Sequence, residues 1–484
     1  MKKHTEIRFE EAIEYYLTNE DGYLKGNPEE YNKDFALFPN DVIEFIKTSQ
    51  QTYWQKVDEF YGEKSAESLI SALIKELDSK GSLYVLRHGF KFFGKNFKLA
   101  FFKPNTNLNP DAWEDYKKNI VKIYRQVHFS NKNPNLSIDS VISINGIPVA
   151  TLELKNALSG QTVINAKKQY MKDRDPRELL FQFKKRSLVH FAVDTDEVYM
   201  TTKLAADSTF FLPFNKGYNF GAGNPSSTDL NYRTGYLWED VLSKDSLLDL
   251  IGRYLHLEMA EKKVYTEKGV FKEKKESLIF PRYHQLDCVK KLVKHAKENG
   301  SGHNYLIQHS AGSGKSNSIA WLSYRLSSLH NDKDEKVFNS VIVITDRVIL
   351  DQQLQDTIYQ FEHKQGVVEK IEEDTKQLVK ALASDTPIII STIQKFPFIV
   401  DALDKLAKEG FEYQINTKDK RFAVLVDEAH SSQSGETSTE LKKILNKEGI
   451  EAIVAEQFLD LEEKNLDDDA KKRLIKDMAA RAKQ

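Results

Sequence analysis

Residues 308–316 read Gln-His-Ser-Ala-Gly-Ser-Gly-Lys-Ser, and no other run restricts the local fold as tightly. A short apolar run, Leu306-Ile307-Gln308, precedes it, and a helical stretch with Ile319, Ala320 and Leu322 follows. Strand, glycine-rich loop and helix in that order put backbone N–H groups at a helix N-terminus, where they cradle phosphates. Gly312, Ser313 and Gly314 supply the loop, Lys315 reaches the β/γ oxygens, and the Ser316 hydroxyl is a ligand for Mg²⁺. His309 stands where the longer form of this pattern has its first glycine, while the Gly-Ser-Gly-Lys-Ser core is intact.

A second element completes an ATP site. Asp427-Glu428-Ala429-His430 follows the apolar run Phe422–Val426, which sets both carboxylates at the C-terminal end of a strand, where such sheets bind ligands. Asp427 is expected to hold the Mg²⁺ and Glu428 to position the attacking water. Gln285, behind Arg282-Tyr283-His284, is expected to read the adenine edge. Thr345-Asp346-Arg347 and Ser391-Thr392-Ile393-Gln394 each close a strand. Apolar runs at 305–308, 341–345, 388–392 and 422–426 alternate with helical segments, the pattern of βαβ units and a largely parallel sheet.

The first half of the chain carries different chemistry. Residues 1 to about 80 read as helices, then Leu83–Leu86, Val121–Tyr124 and Leu188–Val193 read as strands. Two apolar runs, Ile138–Ile144 and Ile147–Lys155, flank Asn145-Gly146, a strong hairpin signal. Glu153 and Lys155 project from one face of their strand. A plain two-residue turn sets Asp139 opposite Leu152, whereas one bulged residue sets it opposite Glu153 with the carboxylates converging. The bulged geometry is expected. Asp139 and Glu153 then bind Mg²⁺, and Lys155 orients or helps deprotonate a bound water, or neutralises phosphate charge. Burying Asp, Glu and Lys together among Val149, Leu152 and Leu154 is costly unless they ligate or pair. The basic stretch Lys167–Arg174 lies just beyond, suited either to tracking a DNA backbone or to facing solvent.

Lys and Arg total 70 against 72 Asp and Glu, so any DNA contact must come from local patches rather than from net charge. The single cysteine, Cys288, excludes an intrachain disulfide and a cysteine-based metal cage. The charged start Met1-Lys2-Lys3-His4 lacks an apolar leader core, and no run nears the roughly 18 apolar residues of a membrane span. A cytoplasmic protein without a membrane partner is expected. Charge-dense residues 257–278 suggest a connector, giving domains at 1–256 and 279–484.

Taken together, Asp139…Glu153-Leu154-Lys155, the 308–316 run, Thr345-Asp346-Arg347 and Asp427–His430 resemble the restriction (motor) subunit of type I restriction–modification enzymes. The resemblance implies an α/β chain in which a PD-(D/E)xK restriction-endonuclease-like domain precedes a RecA-like superfamily 2 helicase domain. It implies Mg²⁺, ATP, double-stranded DNA as substrate, and methylation and specificity subunits as partners. A family Gln-x-x-x-Tyr pattern is only partly met, since Ala166 stands four residues before Tyr170 with Gln169 adjacent. Nothing after His430 resembles the later helicase motifs. The chain is therefore expected to be the N-terminal part of a longer subunit, with weak ATP binding and poor hydrolysis by itself. A repair or anti-phage helicase–nuclease, or a non-catalytic DNA-binding or assembly fragment, are the competing readings.

Overall fold

A computed structural model describes residues 6–156, 160–219, 221–226, 232–266, 269–345, 366–371, 375–399 and 420–427, with isolated residues between 354 and 402. The chain divides into two compact units, Met1–His284 and Gln285–Gln484.

The first unit opens with helices α1 (Glu6–Asn19), α2 (Pro39–Ser49), α3 (Gln51–Tyr61), α4 (Ser65–Lys80) and α5 (Ser82–His88). In α1, Phe9, Ile13 and Leu17 recur every four residues and are fully buried, the stripe that lets a helix bind a sheet. The expected strand at Leu83–Leu86 is instead the middle of α5. Gly81 and Gly89, both at positive φ, bracket one short helix whose Leu83, Val85 and Leu86 are buried. A four-residue apolar run does not itself distinguish helix from strand.

Strands β1 (Leu24–Lys25), β2 (Phe90–Phe92), β3 (Lys95–Phe97), β4 (Val121–His128), β5 (Ser137–Ile144), β6 (Ile147–Leu154), β7 (Val189–Val193), β8 (Val198–Thr201) and β9 (Leu212–Pro213) follow. Seven of them form one sheet in the order β1-β4-β5-β6-β7-β8-β9, and β2 and β3 make a separate hairpin. β4, β5 and β6 are antiparallel. β6 and β7 are parallel and are joined through α6's successor in the chain, a helix at Val163–Lys172; with α6 at Pro110–Lys117 it is α7. A parallel pair needs such a crossover. β6 is buried along its whole length, so it lies at the centre of the mixed sheet, where every polar side chain must find a partner.

The charge-dense stretch 257–278 is neither coil nor helix. It forms a long antiparallel ribbon of β10 (His256–Thr266) and β11 (Gly269–Ile279), paired from His256↔Ile279 to Thr266↔Gly269.

In the second unit, β12 (Ser340–Thr345), β13 (Val368–Lys370), β14 (Ile388–Thr392) and β15 (Phe422–Val426) form an all-parallel sheet in the order β13-β14-β12-β15. β12 and β14 are buried throughout, as parallel strands covered on both faces must be. The expected strand at Leu306–Gln308 is not formed: residues 303–310 carry no regular structure, and Leu306 is 87% exposed. Among the described residues β15 is the edge strand of the sheet. Among the described residues no helix is long and apolar enough to cross a membrane.

Candidate functional site

Asn145 and Gly146 adopt φ of 51° and 84°, the two left-handed positions of the tight turn that matches strand twist. The Asn145 side chain locks this turn, accepting from Ile120 N at 2.6 Å and donating to Leu99 O at 2.9 Å. Pairing runs Ile144↔Ile147 and Ser143↔Pro148, then shifts to Ile142↔Ala150, leaving Val149 as the extra residue of a bulge. Pro148 has no N–H to give the ladder, which is why proline in a sheet sits at bulges. Beyond the shift Ser140 pairs with Leu152, and that register brings Asp139 level with Glu153. The Asp139 carboxylate accepts from Leu154 N at 2.7 Å.

Lys155 continues from the end of β6. Its ammonium lies 2.8 Å from Glu6 Oε1 and 3.7 Å from Asp139 Oδ2. Burial works against that charge, but Asp139, Glu6 and Glu153 outweigh it and the lysine's pKa moves up. Glu153 is fully buried and pairs with Arg174 Nε at 2.5 Å, while its Oε2 has no hydrogen-bond partner. Burial, then the Asp139 charge, drive its carboxyl well above the usual range against the pull of Arg174.

Three carboxylates from elsewhere complete the environment. Glu6, Glu10 and Glu14 recur every four residues on α1 and so share one face. Glu10 is held by Arg125 Nε at 3.1 Å and Gln126 Nε2 at 2.9 Å, and burial plus Asp139 push it up to about 7. Glu14 pairs with Lys25 at 2.9 Å. Gln126 is the β4 residue skipped between Arg125↔Ser140 and Val127↔Ile138, across from Asp139. Its backbone is left-handed, with φ 53°, an uncommon conformation for a residue of this length. Oxygen atoms of Glu6, Glu10 and Asp139 lie within 4.8 Å of one another.

The clustered oxygens of Glu6, Glu10 and Asp139 fit a hard divalent cation that prefers oxygen ligands. Sequence spacing nominated Asp139, Glu153 and Lys155. Lys155 lies 3.7 Å from Asp139, Glu153 is level with Asp139 in the strand register and held by Arg174, and the clustered carboxylate oxygens are those of Asp139, Glu6 and Glu10. That spacing missed Glu6, Glu10, Gln126 and Arg174. Only the glutamate spacing on an amphipathic helix was a legible signal.

A cleft of about 280 Å³ opens beside Lys155 and is lined from α7 by Asn165, Lys168, Gln169, Lys172 and Asp173. Tyr170, on the buried face of the same helix, bonds to Thr151 Oγ1 at 2.8 Å, and Thr151 in turn to His190 Nδ1 at 2.7 Å. These contacts fix α7 against β6.

In the second unit, helices at Tyr283–Asn299 and Lys315–Ser327 are α9 and α10, in chain order after α8 at Lys244–Asp249. Gly314 caps α10 in the left-handed conformation, φ 82°. Gln285 donates from Nε2 to its carbonyl at 2.8 Å, and a Cβ at 314 would meet that same nitrogen at 2.5 Å. Glycine is required there by both dihedral and space. Lys315 and Ser316 form the first turn of α10, and Gly312 is also left-handed. Gln285 thus braces the loop itself. α10 packs on β12, β14 and β15, and Asp427 follows β15, its N–H donating to Ile344 O at 2.9 Å. Glu428, Ala429, His430, Asp346 and Arg347 lie outside the described residues.

Two known families match the chain. Residues 32–209 match the family described as the type I restriction enzyme R protein N terminus, and residues 284–452 match the SWI2/SNF2 ATPase family. Similar curated proteins include the putative type I restriction enzyme MjaVIIIP endonuclease subunit of Methanocaldococcus jannaschii, 26% identical over 396 residues, covering 80% of this chain and 36% of that protein. The type I restriction enzyme SsaAORF53P endonuclease subunit of Staphylococcus saprophyticus is 26% identical over 300 residues, 62% of this chain and 28% of that one. The chain therefore spans about a third of the length of these relatives.

Proposed function

We propose, from the match of residues 32–209 to the type I restriction enzyme R protein N terminus and from the similarity to type I endonuclease subunits, a PD-(D/E)xK-type endonuclease in Met1–His284 and the first RecA-like lobe of a DNA motor in Gln285–Gln484. The substrate is double-stranded DNA, the partners are methylation and specificity subunits, and ATP-driven translocation is coupled to cutting in the full complex. The bulged β5–β6 hairpin carries this reading, because the extra residue at Val149 is what aligns Asp139 with Glu153.

Asp139 and Glu153, with Glu6 and Glu10 around them, are the residues that would hold Mg²⁺. When bound, the ion stabilises charge on the phosphorus centre and acidifies a bound water. Lys155, kept protonated by its carboxylate neighbours, neutralises phosphate charge rather than removing a proton. The cleft with Lys168 and Lys172 takes the adjoining DNA backbone, whose contacts position without reading sequence. In the second unit Gly312, Ser313, Gly314, Lys315 and Ser316 hold the ATP phosphates, Asp427 and Ser316 hold its Mg²⁺, Gln285 braces the loop, and Glu428 positions water.

The test is DNA cutting by the reconstituted complex. Asp139→Ala and Lys155→Ala abolish cutting and keep ATPase, since the two sites lie in separate units. Lys315→Ala removes ATPase. Undiminished cutting by Asp139→Ala refutes the nuclease assignment.

A further inference from the structure

Glu153, which the nuclease reading assigns to the metal, is held in an unusual way. One oxygen accepts from Arg174 Nε at 2.5 Å, and the other, Oε2, is buried without a hydrogen-bond partner. The guanidinium is itself fixed from two further directions. Nη2 donates to Ser137 O at 2.7 Å, at the start of β5, and the group lies over the Phe129 ring at 5.3 Å. Arg174 is 2% exposed and Glu153 is fully buried. The residue sits just past α7, four positions after Tyr170, whose bond to Thr151 ties the helix to the same face of β6 that carries Glu153.

We infer that Arg174 is a positioning residue: it fixes the rotation of the Glu153 carboxylate and leaves Oε2 presented to the cation. The inference rests on the nuclease reading above. An unpinned carboxylate in this interior is free to turn about its terminal bond, and Mg²⁺ or Mn²⁺ demands near-ideal octahedral ligand directions. Groups that orient a ligand from behind are worth about 10–100-fold in metal affinity. Arg174 also spans both strands of the hairpin, bonding β5 at Ser137 and β6 at Glu153, so it fixes the carboxylate relative to the strand that bears Asp139.

Arg174 also lowers the pKa of the buried Glu153 carboxyl, so deleting its charge weakens cation binding by protonating the ligand as well as by freeing it. The charge-keeping Arg174→Lys is therefore the variant that distinguishes positioning from simple electrostatics. Mn²⁺ binding to the full chain, followed by titration calorimetry at neutral pH, is the measurement. Arg174→Gln is expected to weaken Mn²⁺ about tenfold or more, Glu153→Gln to do likewise, and the double variant to be no weaker than Glu153→Gln. Equal or tighter binding by Arg174→Gln, or additive losses in the double variant, overturns the inference. Arg174→Lys decides between the two causes, and serves where Arg174→Gln does not fold: it keeps the charge but lacks the fork that reaches both Glu153 and Ser137, so weakened binding supports positioning and wild-type binding refutes it. Asp139→Asn separates this failure from that of the nuclease reading. If it binds Mn²⁺ as wild type does, the metal site itself is wrong and the Arg174 role falls with it.

Discussion

Thr151→Val tests the packing logic that holds α7 against the central strand. The substitution keeps shape and β-propensity and deletes one hydroxyl. That hydroxyl lies 2.8 Å from Tyr170 OH and 2.7 Å from His190 Nδ1, and all three side chains are buried. A neutral imidazole accepting at Nδ1 from Thr151, which accepts from Tyr170, satisfies the whole chain of bonds. Valine strands two buried polar groups, each costing about 1–3 kcal/mol, so the expected loss is roughly 2–6 kcal/mol. Tyr170→Phe leaves Thr151 with His190 and costs about 1 kcal/mol. The double variant orphans only His190, so it is expected to be less destabilised than the sum of the singles by roughly 2–4 kcal/mol. Guanidinium unfolding followed by tryptophan emission measures this, because Trp54, Trp113 and Trp238 lie in the first unit and only Trp321 in the second. A Thr151→Val cost under about 1 kcal/mol, or strict additivity, refutes the account.

The remaining predictions are shorter. Burial depresses the His190 pKa to about 3, so between that value and the ordinary 6.5 the unfolded state binds a proton the folded state does not. This contribution is present above pH 6.5 and is lost as pH falls towards 3, roughly 5 kcal/mol in all; His190→Gln should flatten the pH dependence of stability across that window, and an unchanged slope counts against it. Gly146→Ala places a Cβ 2.5 Å from Phe38 O at φ 84° and should cost about 2–4 kcal/mol in unfolding free energy, with DNA cutting lost because the hairpin register shifts. Lys315→Ala should abolish binding of a fluorescent ATP analogue while leaving Mn²⁺ titration of the first unit unchanged; loss of both would mean the sites are not separate. Lys168→Ala with Lys172→Ala should reduce the salt slope of DNA binding by about one to two units, measured by anisotropy at several salt concentrations.

Legibility in the sequence followed the range of the interactions. The Asn145-Gly146 turn, the glycine loop at 312–314 and the parallel strands at 341–345, 388–392 and 422–426 are set by local dihedral needs and short apolar runs, and they formed where expected. Leu83–Leu86 and Leu306–Gln308 are equally apolar, yet one became a helix between two glycines and the other stayed exposed. A short apolar run does not itself decide between helix, strand and coil. Glu6 and Glu10 could have been noticed from their spacing, but nothing local says that this helix face lies over Asp139, more than a hundred residues on.

By itself the sequence determined the chemical types and their order: an Asp, Glu, Lys set on a hairpin, then a phosphate loop and an Asp-Glu strand end. Only the tertiary structure decided how the first set is used. The Val149 bulge set the register, α1 brought in two more carboxylates, and Arg174 claimed one oxygen of Glu153 and left the other without a partner. Those outcomes turn on contacts between segments far apart in the chain, made where burial raises the cost of any charge left unpaired.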